Sequence, residues 1–281
     1  MTEYYLTLAG LRTVLRTPKE ITISENLRPF LCQPQEHMDC TIELQPCDRL
    51  PAFSDGVWNG PEFYDHLDGV LRNFHCDAKG GEAFAVTQLF ENGNIQIQVL
   101  PEYLHYFSGT SGIFNRIGME TLLLQHFGLL LHASLIKFDG KAIAFAGPSG
   151  IGKSTQASLW QQHFGAQIIN GDRAVLRKTA DGWFAYGSPY AGTSGIYKND
   201  SAPLSAIIFL SQAEENDLQT LTPAEAFPHL YPELSIHHWD KQFVTQATDI
   251  ALSLLADVPV YWLQCRPDQS AAALTKKGLM L

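Results

Sequence analysis

Cations are scarce in this chain: 19 Lys and Arg stand against 29 Asp and Glu over 281 residues, a net charge of −10. A general nucleic-acid binder needs a basic face to meet phosphate, so no nucleic-acid partner is expected. Cysteine is sparse too. The five are Cys32, Cys40, Cys47, Cys76 and Cys265; they form no CxxC pair, and an odd number is poor material for a disulfide framework. Cys32, Cys40 and Cys47 lie near His37, but separations of eight and seven do not fit zinc-ribbon spacing. Free thiols, buried or partly exposed, are expected instead. Long apolar runs are missing. The longest, LLLHASLI, is interrupted by His132 and Ser134 and falls far short of the roughly 20 residues a membrane helix needs. The opening MTEYYLTLAG has neither the basic segment nor the apolar core of a signal peptide. These absences predict a reducing, cytoplasmic setting with no membrane partner. Internal repeats and low-complexity tracts are also absent.

What is present is globular. Apolar residues make up 45% and charged residues 17%, which excludes wholesale disorder. At roughly 150 residues per domain the length suggests two. The first hundred residues read as β-rich through TEYYLTLAG, EITIS, CTIEL and NIQIQVL. A short helix is expected around FYDHLDGVLRNF. Near Ser108 the pattern changes, and a domain boundary is placed at about residue 108. Ile113, Ile117, Leu124 and Phe127 recur at helical spacing, predicting a helix over about 112–127, ended by Gly128. Two strands follow, LLHASLIKF and KAIAFAG, with Asp139-Gly140 as a hairpin turn. A second hairpin is expected at Asp181-Gly182. LSAIIFLS and VPVYWLQC read as buried strands, and helices are expected in TPAEAFPHLY, QFVTQATDIALSLLA and PDQSAAALTKKG. The C-terminal half is therefore mixed α/β with hairpins.

The chemistry concentrates in one segment. Gly147, Pro148, Ser149, Gly150, Ile151, Gly152, Lys153 and Ser154 fit G-x-x-x-x-G-K-[ST] in full, with Thr155 next in line. The glycines let successive backbone N–H groups converge on an anion, and the following helix points its positive end at the same place. Lys153 adds a mobile cation for the β/γ-phosphates, and the Ser154 hydroxyl can ligate Mg²⁺. Composition alone gives roughly one chance match per hundred chains of this length. A strand-like AIAFAG before the motif and a helix-like STQASLWQQHF after it supply the context that the mechanism requires.

Asp172 follows the apolar QIIN, nineteen residues after Lys153. That spacing allows a helix to run out and a strand to return beside the P-loop strand, where a carboxylate can hold Mg²⁺. The alternative is an ordinary turn aspartate. His132 sits inside an apolar strand, either as a core histidine with one hydrogen bond or as a base facing the phosphates. The loop Tyr186–Gly195 is a second glycine-rich connection, with Thr193 and Ser194 as candidate ligands. Lys198, Arg173 and Arg266 are candidate second cations.

HASLIKFDGKAIAFAGPSGIGKST followed by IINGDRAVL resembles the HPr kinase/phosphorylase-like branch of P-loop proteins, which is related to the phosphoenolpyruvate carboxykinases. The resemblance runs from about His132 to Arg173, with a looser echo through YGSPYAGTSG and PLSAIIFL. It implies an α/β (mixed α+β) fold: a P-loop kinase domain with a mixed sheet over 109–281, behind a smaller β-rich domain over 1–108 that binds substrate or a partner. A histidine just before the antiparallel hairpin that feeds the P-loop is characteristic of this branch, so a catalytic role for His132 is implied. ATP and Mg²⁺ are the implied cofactors. Lys153 would stabilise phosphate charge, Ser154 and Asp172 would hold the metal, and His132 or Asp172 would take the hydroxyl proton. Related kinases form oligomers, so a homo-oligomer is admitted. HPr kinases usually carry two adjacent aspartates before the arginine; here Gly171-Asp172-Arg173 matches only the second. The implied acceptor is accordingly a serine of a small protein or peptide rather than HPr. A non-catalytic nucleotide-binding module, its active site decayed with the lost aspartate, is the alternative.

Overall fold

The N-terminal strands pair as their alternation requires. In the computed structural model, which describes residues 1–190 and 192–280, two compact units form, Met1–Gln125 and His126–Leu281. The first is an eight-stranded sheet built from β1 (Thr2–Leu8), β2 (Leu11–Thr17), β3 (Cys40–Pro46), β4 (Gly56–Asn59), β5 (Glu62–Leu67), β6 (Val70–Cys76), β7 (Ala83–Leu89) and β8 (Ile95–Val99). Its order is β1-β2-β3-β8-β7-β6-β5-β4, with β3 parallel to both β2 and β8 and all other pairs antiparallel. The helix expected around FYDHLDGVLRNF is instead the β5–β6 hairpin. Asp68 and Gly69 both take positive φ, 52° and 78°, which is the turn chemistry of a tight hairpin.

The single helix expected over 112–127 is two: α1 (Thr110–Phe114) and α2 (Met119–Gln125). Gly118, at φ 60°, breaks the run between them. Ile113, Ile117 and Leu124 are buried as the spacing predicts, whereas Phe127 is 64% exposed. Gly128 does not cap a helix; it begins a strand. Both helices fold with the β-rich unit, so the compact units divide after Gln125 and not near residue 108. The physical reason is local docking. Thr22 N–H donates to Ser108 O and Thr110 N–H to Thr22 O, both at 2.9 Å, and the Arg116 guanidinium lies 5.0 Å from the Phe107 ring centroid.

The second unit contains β9 (Gly128–Phe138), β10 (Lys141–Ala146), α3 (Lys153–Phe164), β11 (Gln167–Asn170), β12 (Arg173–Thr179), β13 (Gly182–Tyr186), β14 (Ser201–Gln212), β15 (Asp217–Leu221), α4 (Pro223–Leu230), α5 (Lys241–Asp257), β16 (Val260–Cys265) and α6 (Gln269–Gly278). Asp139 and Gly140 close the β9–β10 hairpin, and the β12–β13 hairpin turns just before Gly182, as expected. The sheet runs β10-β9-β12-β13-β14-β16-β15, and β10 also pairs with β14, which closes a ring of five strands. Two long strands make this possible. Residues 128–132 of β9 pair with β12 and residues 133–138 with β10; β14 likewise passes from β13 to β10 and β16. The architecture is thus mixed α/β with two mixed sheets. β10, β14 and β16 run parallel, so their carboxyl ends open on the same edge. Trp160 of α3, fully buried, packs with Ile143, Phe145, Ile208 and Leu263 and locks that helix to the sheet.

Candidate active site

The loop 147–152 leaves β10 and enters α3, the strand–loop–helix context that the motif demands. Gly147, Gly150 and Gly152 all take positive φ, at 136°, 79° and 118°. A Cβ placed on Gly150 or Gly152 would meet nothing within 4 Å, so the bare backbone faces open space, as an anion cradle requires. Lys153 is nearly buried. Its Nζ donates to the carbonyls of Gly147 at 2.6 Å and Pro148 at 3.1 Å, folding the cation over the loop. Burial pushes the Lys153 ammonium below the usual lysine value, while the Glu233 and Asp172 carboxylates pull it back up.

The β9–β12 register sets the other wall. His132 pairs with Arg173, and Ala133 N–H donates to Asp172 O at 2.9 Å, which brings Asp172 beside His132. His132 Nε2 lies 3.6 Å from Asp172 Oδ1, and its Nδ1 lies 3.0 Å from Glu233 Oε2. An ionised carboxylate only accepts, so Nδ1 carries the proton and Nε2 is left to face Asp172. His132 and Asp172 are each about 30% exposed, whereas Glu233 is 10% exposed. A cavity of about 380 Å³ joins His132, Asp172, Gly171 and Thr193 to Ser149, Gly150, Gly152, Lys153, Ser154 and Thr155. His132, Asp172 and Lys153, far apart in the chain, therefore border one space. Pro148 lies behind that wall, holding Lys153 through its carbonyl, and Ile151 packs on the core beneath α3.

Two further residues shape the site. Glu233 sits in the turn after α4, where Leu131 bridges Leu234 and Ser235 N–H donates to Leu130 O at 3.0 Å. Asn170 is fully buried. Its Oδ1 accepts from the N–H groups of Asp172 (2.9 Å) and Arg173 (2.7 Å), and its Nδ2 donates to the carbonyls of Ser188 and Tyr190, both at 3.0 Å. One amide thus ties the Asp172 turn to the second glycine-rich loop. Asn170 had a sequence signal, a polar residue closing the apolar QIIN; Glu233 had none.

Other candidates separate. Thr193 borders the cavity, and Ser194 packs against Gly171; Ala191 of the same loop lies outside the described residues. Arg173 Nε is 3.8 Å from Asp172 Oδ2, but its Nη1 donates to Ser235 Oγ. Arg266 pairs with Asp268 at 3.0 Å on the surface, and Lys198 is tied through its backbone N–H to Ile169 O. The five cysteines carry no disulfide. Among the described residues no helix is long and apolar enough to cross a membrane, and no group of three His, Cys, Asp or Glu side chains has the geometry of a metal site.

Gly171 explains why a second aspartate is not simply added here. A Cβ on it would lie 2.0 Å from Ser194 Oγ and 2.5 Å from Ser194 Cβ. We expect Gly171→Asp to destabilise the protein by about 1–3 kcal/mol, the usual cost of overpacking. Ser194→Gly in the same chain should recover most of the lost melting temperature. If Gly171→Asp melts with wild type, the 192–195 turn yields freely and this reading of the contact is wrong.

The geometry can now be set beside known proteins. No curated protein matches the chain. Among solved structures it is similar to the Hpr(Ser) kinase/phosphatase from Coxiella burnetii, at 12% identity and a TM-score of 0.32, over 54% of this chain and 96% of that one. A family model described as SynChlorMet cassette protein ScmC matches residues 120–267, just over half of the chain. That span contains His132, the glycine loop, Lys153, Asp172 and Glu233 together, and the chain belongs to the ScmC family.

Proposed function

We propose that this chain is a P-loop phosphotransferase of the HPr kinase-like type, moving the terminal phosphoryl group of ATP to a hydroxyl, with a serine of a small protein or peptide as the acceptor. One observation carries the reading: the glycine loop with Lys153 and the His132–Asp172 pair border a single cavity from opposite sides. Phosphoryl transfer asks a protein mainly for positioning and charge neutralisation, and these groups supply both. The N–H groups from Gly150 to Ser154 would cradle the phosphates. Lys153 would exchange its two carbonyl contacts for phosphate oxygens. His132 Nε2, its other nitrogen held by Glu233, would accept the hydroxyl proton, with Asp172 as the alternative acceptor.

The residues present also fit a divalent cation. Ser154 is exposed at the start of α3 and borders the same cavity as Asp172, so a hydroxyl and a carboxylate are available there as hard oxygen ligands. Mg²⁺ bound there would neutralise phosphate charge. A second reading, a nucleotide-binding module without transfer activity, is favoured by one feature, the glycine at 171 where an HPr kinase has an aspartate.

The first test is binding. ATP with Mg²⁺ should raise the melting temperature, since a ligand at 100 times its Kd stabilises by about 2.7 kcal/mol. Lys153→Ala should lose most of this shift, measured against the melting temperature of the free variant, which also loses the two Nζ contacts to the loop carbonyls. Equal ATP affinity in wild type and variant, by calorimetry, removes the reading. Transfer to an acceptor hydroxyl, rather than slow ATP hydrolysis, separates the kinase from the binding module.

A further inference from the structure

A second cavity, of about 470 Å³, opens on the other side of the glycine loop. It shares Gly150, Gly152 and Thr155 with the cavity that holds Lys153, His132 and Asp172. The loop is therefore a wall common to two chambers of ligand size. The new chamber lies outside the carboxyl ends of the parallel strands: Gln212 and Ala213 follow from β14, and Cys265 ends β16. Crevices at such strand ends are where open α/β sheets receive ligands. If the terminal phosphate faces Lys153 and His132, the nucleoside has to leave the loop on the opposite side, into this chamber.

Gln156 gives the chamber its chemistry. It lies one turn into α3 and is only 2% exposed. Its Nε2 donates to Cys265 Sγ at 3.3 Å, which fixes the amide. Its Oε1 is buried and has no hydrogen-bond partner. A buried carbonyl oxygen left unpaired is costly, and such an atom calls for a partner that arrives later. The nearby backbone donors are already spent: Ala213 N–H on Cys265 O at 3.2 Å and Arg266 N–H on Asn216 Oδ1 at 2.8 Å. The chamber thus presents a buried acceptor beside two backbone donors that are already committed.

We propose that this chamber binds the base of the nucleotide, and that Gln156 Oε1 accepts a hydrogen bond from the 6-amino group of adenine. The proposal rests on the nucleotide reading above and deepens it. Guanine would bring a carbonyl oxygen beside its N–H, and that oxygen would find the amide nitrogen already held by Cys265. Ile151 and Pro267 supply apolar surface for the ring.

The test is calorimetry on the full chain with four probes: ATP, GTP, purine riboside triphosphate, which lacks the 6-amino group, and inorganic tripolyphosphate. Wild type should bind ATP about tenfold more tightly than purine riboside triphosphate, the effect of one buried neutral hydrogen bond. Gln156→Met keeps the length, loses the acceptor, and should bring the two nucleotides level without changing tripolyphosphate affinity. Equal wild-type affinity for ATP and purine riboside triphosphate, or tighter binding of GTP than of ATP, overturns the base assignment while tripolyphosphate binding preserves the P-loop reading. That comparison needs no variant, so it stands even if Gln156→Met is unstable. Failure of both ATP and tripolyphosphate to bind overturns the P-loop reading and this proposal with it.

Discussion

Asp172→Asn should leave ATP affinity nearly unchanged and lower phosphoryl transfer at least a hundredfold. The substitution keeps shape. Asn170 holds the backbone N–H groups of residues 172 and 173, and Asp172 O accepts from Ala133, so the turn is fixed by main-chain contacts that an asparagine preserves. What is lost is the charge facing Ser154 and Lys153. Metal-mediated neutralisation acts mainly on the charge that develops at transfer and amounts to several kcal/mol, at about 1.36 kcal/mol per tenfold in rate. On the proposed reading ground-state binding responds less, because the glycine loop and Lys153 would carry it, and removing a carboxylate also removes repulsion toward the phosphates. Single-turnover transfer to a peptide serine, measured beside calorimetric ATP affinity, checks both halves. Wild-type turnover in the variant would return Asp172 to the role of an ordinary turn residue.

The parts of the site that were legible in the sequence are those whose chemistry is local. A glycine loop announces itself because its backbone needs glycine at fixed offsets between a strand and a helix, and Gly147, Gly150 and Gly152 all sit at positive φ. The Asp139-Gly140 turn has the same legibility, and it fixes the register that carries His132 toward the loop. Asp68-Gly69 carried an equal signal, and it makes a hairpin where a short helix was expected. Glu233 is different. It lies 101 residues from His132 in sequence, and nothing in YPELS marks it. Its place depends on the segment after α4 returning to the edge of β9, a pairing that hydrophobic pattern does not encode. The ring closure by β10 and β14 is hidden for the same reason, since each strand alone reads as a buried run. Gln156 shows a further limit: on α3 it looks like any polar helix residue, and only the packing of β16 reveals that its carbonyl is buried and unpaired.

His132→Ala should lower phosphoryl transfer by roughly 10²–10⁴-fold, the range of general acid–base catalysis, with ATP affinity little changed. The motive is geometric. Nδ1 meets Glu233 at 3.0 Å, and Nε2, 3.6 Å from Asp172 Oδ1, belongs to a ring that borders the cavity Lys153 and Asp172 share. On the proposed reading the ring would act as the base toward an acceptor hydroxyl. Glu233→Gln gives the second half of the argument. The amide oxygen can still orient Nδ1–H, but the charge that steadies the imidazolium after proton transfer is gone. We expect a smaller loss, roughly tenfold to a hundredfold in kcat with KM for ATP unchanged. A core histidine would behave otherwise. His132 is about 30% exposed, so removing it should move the melting temperature little, whereas a structural role would lower that temperature first and activity only in proportion to unfolded protein. Melting temperature and transfer are therefore measured on the same preparations. An unstable but fully active His132→Ala variant sinks the catalytic assignment. Full activity in Glu233→Gln would leave His132 as the base and remove Glu233 as the residue that positions it.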